Sequence, residues 1–198
     1  VPVVEHPFVK SPADEYESCL RRIRIEVLGE SSSAKDEIHA DVSVFGAETN
    51  AAEIVAAPIT AARNLINEKH SDIAKRFVAG HLLFEGDHAL HEGCSANLGI
   101  ALLAYCAILR STLQREQYRI LPTVAVSGAI DDKGNVQPVE AATLPNKVRG
   151  AFFSWVEFLI VPKQQLAIAE ETLRSLAEKF PHRTLTIIGV GNMREVFF

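Results

Sequence analysis

A serine stands at the start of the most apolar segment of the chain. Ser95 follows a polar loop, Gly86 to Cys94, and precedes a strongly apolar helix predicted to end at Leu113. The first N–H groups of a helix have no partner inside it, and the helix dipole is positive there. Such groups stabilise the oxyanion that forms when a hydroxyl attacks a carbonyl. Serine is also a favoured helix N-cap, so the local pattern by itself favours a structural role.

A serine nucleophile requires a base that removes its proton. His81, His88 and His91 lie nearby in the sequence, but no motif marks any of them as that partner. A lysine acts as a base when burial lowers its pKa, because desolvation disfavours the ammonium form. Lys147 begins a predicted helix and is a candidate, although most lysines are solvated surface residues.

Other residue types in the loop suggest different chemistry. Asp87, His88, His91 and Glu92 are potential metal ligands, but their spacing matches no recognised coordination geometry, and we predict no metal site. Cys94 is a potential nucleophile, but a free cysteine there is more typical of a small apolar filler.

The elements that must position these residues are strands and helices in mixed order. Alternation of charged and apolar residues over 22–29 and 37–46 predicts a first hairpin. The turn Asp131–Asn135 predicts a second hairpin, between 121–130 and 136–139. Helical spacing predicts helices at 51–77, 95–113, 146–153 and 164–180. Pro58, within the first of these ranges, suggests a kink or two consecutive helices there. Short apolar runs predict three further strands, at 78–85, 155–161 and 183–190. This order indicates an α+β or mixed α/β fold.

Length and composition limit the classes of protein. The chain has 198 residues, enough for one domain, which we place at residues 20–198. Residues 1–19 contain three prolines and predict an N-terminal arm or linker. The first residue is valine, which suggests a domain excised from a longer protein.

Charge, hydropathy and cysteine content argue against several partners. The formal net charge of −5 argues against nucleic-acid binding. The longest apolar run, 98–109, is too short to span a bilayer, so we expect no membrane contact. The three cysteines form no close pair, which favours a reducing, cytoplasmic location.

Several short motifs occur in the order found in one protein family. Glu85-Gly86 followed by Glu92-Gly93-Cys94-Ser95-Ala96 resembles the serine motif of Lon-type ATP-dependent proteases, in which Glu-Gly leads to Asp-Gly-Pro-Ser-Ala-Gly. Val124 to Ile130 resembles the family's Val-Ala-Met-Thr-Gly-Glu-Ile strand, and Gly134 to Val139 resembles its Gly-x-Val-x-Pro-Ile.

The resemblance continues through Lys147. Asn146-Lys147, a helix and the strand ending at Pro162 resemble the family's Glu-Lys, helix and apolar strand. Together the motifs run from about residue 21 to residue 198 and are densest between His81 and Lys163.

The resemblance implies a serine endopeptidase with a Ser–Lys dyad in a Lon-type proteolytic domain, whose topology is like that of ribosomal-protein domain 2. Ser95 matches the nucleophile and Lys147 the general base. Ser127 stands where the family has threonine and would orient the lysine amine, and Glu92 matches the acidic residue of the serine loop. The substrates would be proteins or peptides, and the domain would form a homo-oligomeric ring, most often a hexamer.

The sequence also departs from the family pattern. Cys94 replaces proline, Asn97 stands near the second glycine, and Asn146 replaces glutamate. Glu140-Ala141 replaces Gly-Gly. These changes surround the predicted nucleophile and base without removing either.

No cofactor is expected in this chain. It has no Gly-x-x-x-x-Gly-Lys-Ser/Thr phosphate loop, so ATP would act only through an ATPase module elsewhere in a longer protein.

Two alternatives remain. A catalytically weak or inactive Lon-like module would assemble rings or hold a partner. A small-molecule kinase of related topology would need a glycine-rich phosphate cradle, and Glu92–Ala96 offers only one glycine.

Overall fold

The computed structural model describes residues 2–5, 19–40, 51–85, 94–113 and 120–197. These residues form a mixed α/β fold, as the order of predicted elements indicates. The strands are β1 Pro2–Glu5, β2 Cys19–Glu30, β3 Glu37–Ala40, β4 Val78–Glu85, β5 Val124–Val126, β6 Ala129–Ile130, β7 Val136–Gln137, β8 Phe158–Pro162 and β9 Thr186–Val190. The α-helices are α1 Ala51–Lys69, α2 Asn97–Leu113, α3 Leu144–Phe152 and α4 Leu166–Lys179. None of the helices in these ranges has the length and apolarity needed to cross a membrane.

Seven strands form one sheet in the order β3-β4-β2-β1-β5-β8-β9. Strands β1, β5, β8 and β9 run parallel to one another, and β2 is antiparallel to both β1 and β4. Consecutive side chains of a strand point to opposite faces of the sheet. Val126 and Ile160 therefore join the core formed with α1 and α2, while Ala125 and Leu159 join the core formed with α3 and α4. The parallel half of the sheet lies between two helical layers.

The predicted first hairpin is wrong. Strand β4 lies between β2 and β3, and β3 pairs parallel with β4. The polar segment that connects β2 to β3 bonds to other elements instead of closing a tight turn. The Ser31 N–H donates to Phe77 O at 2.9 Å, and the Asp36 carboxylate accepts from Arg63 of α1 and from the Val78 N–H. Residues 41–46 of the predicted second strand lie outside the described residues.

A glycine allows β4 to approach β2 closely. A Cβ at Gly80 would lie 2.5 Å from the backbone oxygen of Glu26. The strand register shifts at this point, between Val27 and Gly29, which is typical of a β-bulge. A side chain at position 80 would therefore force the two strands apart.

The predicted N-terminal arm contributes a strand to the sheet. Pro2–Glu5 pairs with Cys19–Arg22 of β2, and Val3 pairs with Val126 of β5. These four residues belong to the sheet of the domain and not to a separate linker, while residues 6–18 lie outside the described residues.

The second hairpin and the buried helix are confirmed. Strands β6 and β7 pair antiparallel around a turn in which Gly134 has φ of 84°, a left-handed conformation that favours glycine. The Asp131 carboxylate holds the turn by accepting from the N–H groups of Lys133 and Asn135. In α2, 11 of 17 residues are buried, as expected for a helix that is apolar nearly all round.

Candidate active site

The predicted strand 121–130 is divided in two, and the candidate site lies at the division. Strand β5 ends at Val126, and the Ser127 N–H extends the ladder by donating to Ile160 O of β8 at 2.9 Å. The Gly128 N–H then turns away and donates to Ser95 O at 2.8 Å, while Gly128 O accepts from the Leu98 N–H at 2.9 Å. Gly128 therefore ties the end of β5 to the start of α2.

The contact at Gly128 leaves little room for a side chain. A Cβ there would lie 3.3 Å from Leu98 Cδ2 and 3.3 Å from Val136 Cγ1. A methyl group at position 128 would therefore require the Leu98 and Val136 side chains to shift by a few tenths of an ångström.

Lys147 is buried at the same place. It is the fourth residue of α3 and its side chain is almost fully enclosed, since the residue is only 2% exposed. The Nζ atom donates a hydrogen bond of 3.3 Å to the hydroxyl of Ser127, which is itself fully buried. The structure thus brings together two of the residues singled out in the sequence, although they lie 20 positions apart.

Ser95 is half-buried in the turn that precedes α2. A capping serine at this position would accept from the N–H groups two and three residues later. Those groups already have backbone partners, because the Asn97 N–H donates to Cys94 O at 3.1 Å and the Leu98 N–H donates to Gly128 O. Among the described residues, the Ser95 hydroxyl therefore does not cap these two N–H groups.

Ser95 and Lys147 are linked indirectly, through hydrogen bonds to the adjacent residues Gly128 and Ser127. The Ser95 carbonyl bonds to Gly128, and the Lys147 amine bonds to Ser127. Among the hydrogen bonds of the described residues there is none between the Ser95 hydroxyl and the Lys147 amine themselves. Catalytic hydrogen bonds are often long or misaligned before substrate binds.

A glutamine that the sequence analysis missed supports the loop leading to Lys147. Gln165 is buried, and its amide makes two hydrogen bonds to Val139, accepting from N–H at 2.9 Å and donating to C=O at 2.8 Å. This pair of bonds fixes the chain between β7 and α3. The sequence around Gln165 carries no signal of such a role, because its partner lies 26 positions away.

Asn97, the first residue of α2, is an unexplained polar group in the same region. It is 4% exposed, and its Oδ1 atom is buried without a hydrogen-bond partner among the described residues. An unpaired buried acceptor costs about 1–3 kcal/mol of stability. In the sequence, Asn97 stands out only as a departure from the pattern of Lon-type proteases.

The two described free cysteines differ in environment. Cys94 is exposed, so the expectation that it fills space in the core is wrong. Cys106, on α2, is mostly enclosed, and burial raises the pKa of its thiol to about 11. A thiol that stays protonated is a poor nucleophile, whereas Cys94 is accessible beside Ser95.

The acidic residue of the predicted serine loop cannot be located. Glu92 lies outside the described residues, as do Asp87, His88 and His91. Within the described ranges, no group of three or more His, Cys, Asp or Glu side chains is arranged to hold a metal ion.

Comparison with known proteins found no family model that matches this chain and no curated protein similar to it.

Proposed function

We propose that this chain is a serine endopeptidase module in which Ser95 is the nucleophile and Lys147 the general base. The observation that carries the proposal is the buried Lys147 amine, held by Ser127 next to the glycine that binds the Ser95 backbone. Burial penalises an ammonium group, and this penalty is the condition under which a lysine acts as a base.

The proposed reaction divides peptide hydrolysis into two steps. The Ser95 hydroxyl attacks the peptide carbonyl while its proton passes to the Lys147 amine, and the protonated amine then returns that proton to the leaving amine. Backbone N–H groups before α2 stabilise the oxyanion, each worth about 3 kcal/mol of the barrier. Water next attacks the acyl-enzyme and gives a proton to Lys147. Lys147 returns that proton to Ser95 Oγ as the acyl bond breaks and the acid is released.

Covalent labelling tests the proposal directly. A fluorophosphonate probe is expected to modify Ser95, located by peptide mass spectrometry, and casein is expected to be cleaved. Lys147→Ala and the better-filling Lys147→Met are expected to abolish labelling, because neither supplies a base. Lys163→Met, which changes an exposed lysine, is the matched control and should label normally.

The same experiment separates this proposal from its main alternative. If the folded wild-type chain remains unlabelled and casein stays intact, the chain is a binding or assembly module and the peptidase proposal fails. Labelling that persists in Lys147→Met would exclude Lys147 as the base while leaving Ser95 as a nucleophile.

We further propose that the domain self-associates with a second copy of the chain through an aromatic platform formed by Leu121, Phe153, Trp155 and Phe180. One patch that pairs with itself in this way gives a two-fold dimer. Phe153 and Trp155 are 58% and 56% exposed, and the Phe153 and Phe180 rings meet edge-to-face at 5.0 Å. At about half exposure, four large side chains leave roughly 400 Å² of apolar surface, about half of what one partner buries in a stable interface.

The platform is rigid and distant from the candidate site. The Arg183 guanidinium donates to the carbonyls of Phe152, Ser154 and Val156, which fixes the loop that presents Phe153 and Trp155. This loop precedes β8, at the amino end of the parallel strands, whereas Ser127 follows their carboxyl end. Association at the platform would leave the candidate site open.

Sedimentation velocity tests this association. The double variant Phe153→Ser/Trp155→Ser is expected to sediment as a monomer, since it removes the centre of the platform. Ile168→Ser changes an exposed apolar residue elsewhere on α4 and should keep the wild-type mass. A monomeric wild-type chain, or an oligomer that survives the double variant, would contradict the proposal.

A further inference from the structure

Gln165 connects the strand that holds Ser127 to the loop that leads to Lys147. In strand β8, the Ile160 carbonyl accepts from the Ser127 N–H at 2.9 Å. The 3₁₀ turn that follows β8 carries Gln165, whose buried amide bonds both the N–H and the C=O of Val139. Strand β8 is therefore the common support of Ser127 and of the loop before Lys147.

A chain of hydrogen bonds leads from Val139 to Lys147. The next residue, Glu140, accepts at its carbonyl from the Thr143 N–H at 3.2 Å and from the Thr143 hydroxyl at 2.9 Å. The Thr143 carbonyl in turn accepts from the Lys147 N–H at 3.2 Å. Each bond fixes the backbone of a residue further along, so the position of Val139 determines where α3 begins and where its lysine stands.

A primary amide is suited to this pair of bonds. Its carbonyl accepts and its NH₂ group donates, whereas a lysine only donates, an ionised carboxylate only accepts and an apolar side chain does neither. Without the amide, the N–H and C=O of the half-buried Val139 would lose these partners. The loop would then shift until water or another group bonded them, because buried backbone groups are rarely left unpaired.

We infer that Gln165 is a positioning residue that sets the distance between the Lys147 amine and the Ser127 hydroxyl. The inference rests on the proposed peptidase function, in which this amine takes the Ser95 proton. The 3.3 Å bond between Nζ and the hydroxyl is at the long end of the range for N–H···O bonds, so a small displacement of α3 relative to β8 weakens it. Gln165 bonds Val139 and not the reacting groups, so it acts through the backbone of the loop.

A double-variant cycle tests the inference through the rate of fluorophosphonate labelling at Ser95. Gln165→Met keeps the length of the side chain without its donor and acceptor, and is expected to slow labelling by about 5- to 100-fold. In a chain that already carries Ser127→Ala, the same substitution is expected to slow labelling by less than about twofold, because the contact through which Gln165 acts has been removed. A residue that only stabilises the fold would slow labelling equally in both backgrounds.

Leu176→Ala is the control for lost stability. It shortens a partly buried side chain of α4 that packs in the same core as α3, so urea unfolding should show a loss while labelling keeps the wild-type rate. Gln165→Asn, which withdraws the amide by one methylene, replaces Gln165→Met if that variant does not fold.

The possible failures are distinguishable. A wild-type labelling rate in the Gln165 variant, an equal slowing with and without Ser127→Ala, or the same slowing in Leu176→Ala overturns the role of Gln165. A folded wild-type chain that stays unlabelled at Ser95 instead overturns the peptidase function, and the inference falls with it.

Discussion

Replacing Ser127 by alanine tests whether the buried hydroxyl prepares Lys147 for catalysis. The hydroxyl is fully enclosed and accepts the 3.3 Å hydrogen bond from Nζ. Ser127→Ala removes one hydrogen-bond partner of the buried Lys147 amine, and the loss of such a partner costs about 1–3 kcal/mol of free energy. If the loss falls on the proton-transfer step, it corresponds to roughly a 5- to 150-fold slower reaction, since each 1.4 kcal/mol is about tenfold.

The assay is the second-order rate of fluorophosphonate labelling at Ser95, measured beside urea unfolding. Ser127→Ala is expected to label at least about fivefold more slowly, whereas Ser127→Thr keeps the hydroxyl and should stay close to wild type. Ser154→Ala is the matched control, because Ser154 loses a 2.7 Å hydrogen bond to Ala151 O at the end of α3. It should reduce stability without changing the labelling rate.

Two outcomes would refute a positioning role of the Ser127 hydroxyl. If Ser127→Ala labels at the wild-type rate, or if Ser154→Ala slows labelling as much, the hydroxyl has no positioning role. A loss of stability alone in Ser127→Ala would indicate an ordinary buried hydrogen bond.

Two further predictions concern packing and thiol chemistry. Gly80→Ala is expected to lower the free energy of unfolding by about 1–3 kcal/mol, because its Cβ would meet the backbone oxygen of Glu26. Gly29→Ala is the control and should change the free energy of unfolding by less than about 0.5 kcal/mol, because a Cβ at Gly29 would have nothing within 4 Å. Urea titration measures both values, and equal effects of the two substitutions would contradict the close approach of β4 to β2. At pH 8, Cys106 should alkylate roughly 100-fold more slowly than an ordinary exposed thiol, because burial raises its pKa from 9.0 to about 11 and so depletes the thiolate. Iodoacetamide mapping should show Cys94 modified first, and comparable rates at the two thiols would refute the effect of burial.

Local sequence patterns predicted most elements because their causes are local. Helical spacing of apolar residues gave α1, α2 and α4, and the Asp131–Asn135 turn gave the β6–β7 hairpin. The first hairpin failed because strand pairing depends on contacts distant in sequence. Alternation shows that a segment is a half-buried strand but does not select its partner, and β4 enters between β2 and β3.

Part of the candidate site could be predicted from the sequence, and part could not. Residue type and motif order singled out Ser95, Ser127 and Lys147, whereas Gln165 and Asn97 received no role. Packing brings distant elements together and so determines whether a polar side chain is buried and which partner it bonds. The periodicity of the sequence indicates neither.

By itself, the amino-acid sequence determined which residues have the chemistry of a nucleophile and a base, since that follows from side-chain type. It also determined that an apolar helix follows the serine, since its burial follows from its composition. Only the tertiary structure decided that the Lys147 amine is enclosed and bonded to Ser127, and that Gly128 joins this pair to the Ser95 backbone. The physical reason is that desolvation and hydrogen bonding, which set the reactivity of an amine, are produced by the packing of β5, α2 and α3 and by no one segment alone.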